Sequence, residues 1–266
     1  MQADPPIVLT QTDGIATITL NRPKSLNALS EDMLGAMQTA LDQIAVDRAV
    51  RVVILRGAGA HFCAGHNLKE MTAHRQDDDG GAAYFTALFA TCSKMMMSIV
   101  NLPQPVIAEV QGIATAAGCQ LVATCDLAVA AKTATFATSG VNIGLFCATP
   151  MVALSRNVAR KKAMEMLLLG EFQTASQAVT LGLINTAVPE AELQATTHAM
   201  AKKIVSKARI AVKIGKAAFY EQATMTLEQA YSYTGAAMAE NMMAHDTERG
   251  IEAFIAKKPM PDWTDD

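Results

Sequence analysis

Two runs of β-branched and apolar residues, IVLTQT and IATITL, flank Asp13-Gly14 within residues 7–20. Such runs on either side of a D-G pair predict a β-hairpin. Asn21-Arg22-Pro23 reads as a loop. Ser30 stands as an N-cap before EDMLGAMQTALDQIAVD, where Met33, Leu34, Met37, Leu41 and Ile44 recur at helical spacing. RVVILR at 51–56 reads as a buried strand and GAGAHFCAG as a small-residue loop. DDDGG at 77–81 reads as a flexible surface excursion. A long helix is predicted from Tyr84 to Val100, with Pro103 and Pro105 bracketing its end and VIAEV forming the next strand. Gly112 to Ala117 reads as a turn, Gly118 to Thr124 as a helix and Leu127 to Ala131 as a strand. After about residue 150 the pattern is mostly helical. Strand–helix repeats followed by a helical tail predict an α/β core with an α-helical C-terminal region.

The 266 residues are 51% hydrophobic, enough for one large core, and only 5% aromatic, so Ala, Val, Leu, Ile and 16 Met must fill it. A net charge of −3 gives no electrostatic case for nucleic acid or an anionic membrane. No 18-residue apolar run argues for a membrane-spanning helix. The five cysteines are scattered and odd in number, with no C-x-x-C pair and no zinc spacing, so no metal site is expected. Reduced thiols, and an N-terminus MQADPPIVLT without a basic or arginine-rich pattern, point to a cytoplasmic location.

The chain has no G-x-S-x-G elbow, no G-x-x-x-x-G-K-[ST] loop and no G-x-G-x-x-G after its first strand. Two strand-to-turn junctions carry the candidate chemistry: Phe62-Cys63-Ala64-Gly65-His66-Asn67 and Thr115-Ala116-Ala117-Gly118-Cys119. Small residues let a ligand approach backbone closely. A junction that opens a helix also offers unpaired N–H donors at the positive end of the dipole. Side by side, two such junctions could hold an anionic oxygen; by themselves they are equally tight turns in a packed sheet.

The ordered series NRPKSLNALS (21–30), RVVILRGAGAHFCAGHNLKEM (51–71), PVIAEVQGIATAAGCQLVATCDLAVA (105–130), FATSGVNIGL (136–145), ASQAVTLGLINTAVPEAEL (175–193) and GIEAFIAKKP (250–259) resembles the crotonase superfamily, the enoyl-CoA hydratase/isomerase family, along nearly the whole chain. Its wording GCQL and GVNIGLFC is similar to the domain-containing-protein-3 subgroup. The resemblance implies a crotonase-like spiral of β-β-α units over residues 1–200, carrying an acyl-CoA site, and a helical trimerisation region over 201–266. Trimers of this family often pair into hexamers. It implies two backbone N–H groups that polarise an acyl-CoA or enoyl-CoA thioester carbonyl, here those of His66 and Ala117. The thioester is substrate or ligand, and no separate cofactor is implied. CoA would lie along Lys24, Ser25 and Leu26, the stretch Ala64, His66, Asn67, Leu68 and Lys69, and Ala117-Gly118. Phe254 and Lys257 would complete the site, in some members from a neighbouring subunit. Lys24 either meets the nucleotide phosphates or is an ordinary solvated lysine, and Lys257 equally suits a solubilising helix cap. The His66 imidazole faces either the acyl pocket or solvent.

Active hydratases of this family use two glutamates to position water and move protons across the enoyl double bond. The matching positions here are Gln120 and Gly140. An amide can hydrogen-bond water or a thioester but takes no proton near neutral pH, and glycine offers no side chain. Gln120 is then a polar contact at the mouth of a helix, or it caps or packs the turn without touching ligand. Asn67 stands where many relatives carry aspartate. Glu109, Glu70 and Asp77 to Asp79 are the substitute carboxylates to consider, and Cys119 and Cys147 the thiols. The reaction is open between a hydratase or isomerase, a thioesterase-like enzyme needing only the oxyanion hole, and a non-catalytic acyl-CoA binder or assembly protein.

Overall fold

The computed structural model describes residues 4–264. Strands β1 (Ile7–Thr12) and β2 (Ile15–Leu20) form the expected hairpin, with Ile7 opposite Leu20 and the turn at Asp13-Gly14. Helix α1 (Glu31–Val46) begins where Ser30 accepts the Met33 N–H at 3.1 Å, and its buried stripe is the predicted apolar set plus Ala40. Next come β3 (Val52–Gly57), α2 (Leu68–Ala73) and the 20-residue α3 (Ala82–Asn101). The DDDGG segment is not a loose excursion. The Asp79 carboxylate accepts the N–H groups of Gly81 at 2.9 Å and Ala83 at 2.8 Å, which caps the start of α3 and holds its pKa below the ordinary value.

The spiral is built from β4 (Val106–Val110), β5 (Ile113–Thr115) and α4 (Ala117–Thr124), then β6 (Leu127–Ala131) and β7 (Thr135–Ala137). Residues 113–115, expected as part of a turn, pair in parallel with β7, because β4 and β6 of the first sheet are each followed by a short strand of a second one. Helices α5 (Ala148–Asn157) and α6 (Arg160–Leu169) follow, then β8 (Gln173–Thr174), α7 (Ala175–Leu181) and β9 (Thr186–Val188). The stretch after residue 150 is therefore not purely helical: β9 adds to the main sheet beside β6, and β8 to the second sheet beside β7. The main sheet has the order β1-β2-β3-β4-β6-β9, parallel except for β1, and the second has the order β5-β7-β8.

The main sheet is covered on both faces, as a largely parallel sheet requires. Val53, Leu55, Val106, Ala108 and Ala130 pack with α1, α3 and α4. Val52, Ile54, Ile107 and Val129 pack with Leu193 and Ala201 of α8 (Leu193–Val205), which runs across position 200. Helices α9 (Arg209–Gln222), α10 (Leu227–Met242) and α11 (His245–Ile255) complete the chain. α9 is pinned to the core by Lys216, whose Nζ donates to the carbonyls of Ile99 and Gln104, both at 3.0 Å, and to Asp126 Oδ2 at 2.8 Å. The Tyr220 hydroxyl donates to the other Asp126 oxygen at 2.9 Å. By length and a mean hydropathy of 1.3, α3 could cross a bilayer. Here it lays Leu88, Cys92, Met95, Met96 and Ile99 into the core.

Candidate active site

The two junctions singled out in the sequence lie side by side. Cys63 N–H donates to the Ile113 carbonyl at 3.1 Å, and Thr115 N–H donates back to the Cys63 carbonyl at 3.0 Å. Beyond this parallel bridge both chains turn sharply. Ala116 adopts φ 50°, ψ −119°, a backbone region that a residue with a Cβ rarely occupies. Its N–H is held by the Ala137 carbonyl at 2.9 Å, so Ala117 opens α4 with an N–H that donates to no protein acceptor among the described residues.

The other loop is fixed from the opposite side. Leu29 N–H donates to the Gly65 carbonyl at 2.7 Å, and Asn67 N–H to the Leu29 carbonyl at 3.4 Å. Among the described residues, the His66 N–H between them has no protein acceptor either. Gly65, at φ +92°, lets the loops touch: a Cβ there would sit 3.0 Å from the Ala116 Cβ and 3.2 Å from the Ala117 nitrogen. Gly118 needs its bareness for packing, since a Cβ would press on the Cys63 carbonyl. Two uncommitted N–H groups, one at the N-terminus of a buried helix, can stabilise an oxygen on which negative charge develops.

The ring of His66 does not point to solvent. Both ring nitrogens are buried, and neither has a hydrogen-bond partner among the described residues. The ring meets Phe89 of α3 edge-on, centroids 5.5 Å apart at 79°. Burial lowers its pKa from 6.5; the nearby Leu29 backbone opposes this weakly without a bonding geometry. Gln120 is buried in α4, and its Oε1 has no partner. With no protein partner among the described residues, Oε1 does not cap the turn; the side chain either packs the turn or contacts ligand. Gly140 lies buried in a 3-10 turn, Ser139–Ile143. A Cβ there would meet the Leu145 carbonyl and come 2.9 Å from the Cys147 Sγ.

Of the substitute carboxylates, Glu109, Glu70 and Asp79 are engaged elsewhere, Asp77 meets His74 at 2.8 Å and Asp78 is exposed. Glu109 shares its strand face with Ile107, away from α4, and lies 3.8 Å from Arg56. Burial raises its pKa, opposed by Arg56, Thr197 and His198. Glu70 accepts the Asn67 side-chain amide at 2.9 Å and the Glu31 N–H at 3.2 Å. Asn67 caps α2 through the Lys69 N–H at 3.1 Å. Burial pushes the Cys63 and Cys119 thiols up to about 12 and raises Cys147 as well. Among the described residues, no group of three or more His, Cys, Asp or Glu is arranged to hold a metal.

Of the expected CoA contacts, Lys24 and Ser25 lie exposed in a 3-10 turn, Pro23–Ser25. Leu26, at φ 54°, accepts the Ala64 N–H at 3.0 Å, which brings the first loop against the second. Leu68 and Lys69 are exposed at the start of α2. Phe254 and Lys257, at the exposed C-terminal end of the chain, have no hydrogen bond or ring contact with these loops among the described residues. Asn27 was not anticipated. Fully buried at φ 52°, it donates to the carbonyls of Ala58 at 2.9 Å and His61 at 2.8 Å and accepts the Arg22 N–H at 2.9 Å. Its only sequence signal was an asparagine amid turn residues, where Asn tolerates positive φ.

A sequence profile of the enoyl-CoA hydratase/isomerase family matches residues 10–266. The chain belongs to that family. It is 48% identical to human "Enoyl-CoA hydratase domain-containing protein 3, mitochondrial" over 254 residues, covering 96% of this chain and 82% of that one. It is 32% identical to "Short-chain-enoyl-CoA hydratase" of Clostridium acetobutylicum, covering 95% of each. Its fold matches a crystal structure of an enoyl-CoA hydratase from Mycobacterium smegmatis (TM-score 0.94, 50% identity, 98% and 99% coverage). It also matches that of the human domain-containing protein 3 (TM-score 0.92, 47% identity, 97% and 100% coverage). The expected spiral and its subgroup are thus shown. The cytoplasmic expectation is corrected: the human, mouse and Xenopus relatives are mitochondrial by name. Reduced thiols could not separate the two, since both compartments keep cysteines reduced.

Proposed function

We propose that this family member binds acyl-CoA or enoyl-CoA thioesters with the carbonyl oxygen between the N–H groups of His66 and Ala117, and that it hydrates enoyl-CoA poorly. The supporting observation is the pair of uncommitted N–H groups on two loops locked together through Cys63 and Thr115. Backbone donors of this kind are worth roughly 3–4 kcal/mol each at a developing oxyanion. The poor hydration rests on Gln120 and Gly140, which leave no carboxylate at either position that works the proton in active relatives.

Lys24, Ser25, Leu26, Ala64, Leu68 and Lys69 would cradle the CoA, with Phe254 and Lys257 reaching the site of a neighbouring subunit in a homotrimer or hexamer. The packing of Leu145 and Cys147 over Gly140 favours a second reading, a non-catalytic acyl-CoA binder or assembly protein. A thioesterase-like reaction is the enzymatic alternative. Calorimetry with butyryl-CoA and with free CoA tests the site. Tighter binding of the thioester, abolished in Ala117→Pro, is the expected result, because proline removes the donor. Equal affinity of wild type and Ala117→Pro for butyryl-CoA would refute the placement.

A further inference from the structure

We propose that the His66 imidazole is the proton-transferring group of this site, acting on the carbon next to the thioester carbonyl that its own backbone N–H holds. The inference rests on the acyl-thioester reading above. Both ring nitrogens of His66 are buried without a partner among the described residues, although a neutral imidazole carries one donor and one acceptor. Buried polar atoms are nearly always paired, so a pair of orphans beside an uncommitted N–H points to a partner that the chain itself does not supply. The ring sits one residue's reach from the donor that would grip the carbonyl oxygen, and that oxygen is two bonds from the reacting carbon.

The nearest other titratable groups are committed or protonated. Glu109 faces the opposite side of the sheet, Glu70 is bonded to Asn67 and Glu31, and Asp79 caps α3. The Cys63 and Cys119 thiols stay protonated near neutral pH, with values of about 12. The ring meets Phe89 from α3, and the Leu29 backbone ahead of α1 lies near it; neither carries charge. No charged side chain acts on it, and burial keeps it in the neutral form that can accept a proton.

The step balances without a further reagent. The Cα–H bond breaks and its proton passes to the unprotonated ring nitrogen. The electron pair delocalises onto the thioester oxygen, held by the His66 and Ala117 N–H groups. Return of a proton from the imidazolium to Cα restores the thioester, and exchange of that proton with solvent labels the carbon.

The test uses butyryl-CoA, which has no double bond to hydrate. The full chain is incubated with it in D2O, deuterium at Cα is followed by NMR, and affinity is measured by calorimetry. Wild type should exchange Cα protons faster than buffer. His66→Gln and His66→Asn should slow exchange by about 100-fold or more while affinity changes little, because the backbone donor remains. The wild-type rate should rise with pH through a midpoint below 6.5, and the variants should lack that transition. Variants that exchange like wild type would overturn the proposal. Binding without exchange in wild type would overturn it too, and leave the acyl-CoA reading intact. Absence of butyryl-CoA binding by wild type would overturn both. Should neither variant fold, wild type that binds butyryl-CoA without exchanging its Cα protons still rules the imidazole out.

Discussion

The backbone of Leu145 occupies the space into which a side chain at Gly140 would project, and the Leu145 N–H donates to the Gly140 carbonyl at 2.9 Å. The φ of Gly140 is not positive, so the obstacle to a larger residue is the neighbouring turn and not local conformation. Gly140→Glu should therefore lose roughly 1–3 kcal/mol of stability, the usual cost of overpacking. Gln120→Glu alone should leave the fold intact and raise crotonyl-CoA hydration less than about tenfold, because one carboxylate does not replace two. The double variant should stay slow for the same steric reason. Turnover and thermal unfolding of all four proteins check this; wild-type turnover near a typical enzyme's roughly 10 s⁻¹ would contradict it.

Gly65→Ala should weaken thioester binding and lower the melting temperature. The new methyl would demand φ +92° of an alanine and crowd the Ala116 Cβ at 3.0 Å. A loss of about 1–3 kcal/mol is expected from strain at such a position. Chemical denaturation beside butyryl-CoA calorimetry would show both effects, and unchanged values in both would mean that the loops do not meet as described.

Glu109 gives a signed pH prediction. Burial raises its folded pKa above the ordinary 4.5, so the folded state holds its proton more tightly than the unfolded one. That contribution is present in full below 4.5 and is lost as pH rises through the higher folded value. Glu109→Gln should therefore be as stable as wild type or more so at pH 7, with the advantage shrinking toward pH 4. Gln keeps a hydrogen-bonding group for Arg56. Melting curves across that range read the sign, and hydration activity should not change.

Lys216→Met removes the cation that Asp126 faces and leaves the carbonyls of Ile99 and Gln104 without this donor. Stranding a largely buried charge typically costs about 3–5 kcal/mol. Unfolding by urea should show a loss of that size, and hydrogen exchange should show α9 opening first. A loss under about 1 kcal/mol would mean that α9 docks through its apolar contacts alone.

Phe219, Leu227, Tyr231, Met238, Phe254 and Ile255 stand exposed on the C-terminal helices, and Met243 on the turn between α10 and α11. So much apolar surface on one region predicts a protein contact. Light scattering at micromolar concentration should give a trimer or hexamer mass, and Tyr231→Glu with Met238→Glu should shift it toward monomer. A monomer mass for wild type would refute this prediction.

The chain alone determined most of the elements and the two junctions. The hairpin, Ser30, the α1 stripe, the buried strands and the small-residue turns depend on neighbours a few residues apart, where periodicity and turn chemistry act. Long-range order was not written locally. β5, β8 and β9 are only two or three residues long and exist because partner strands distant in sequence receive them. The VIAEV strand is buried on both faces, so its pattern could not say that Glu109 turns toward α8 and not toward α4. Asp79 reads as one more acidic loop residue until α3 presents its N–H groups. The wall of Leu145 over Gly140, the clamp made by Asn27 and the burial of both His66 nitrogens were decided only when separate segments closed on one another. Each depends on which backbone atoms come within contact distance, and a one-dimensional pattern does not contain that information.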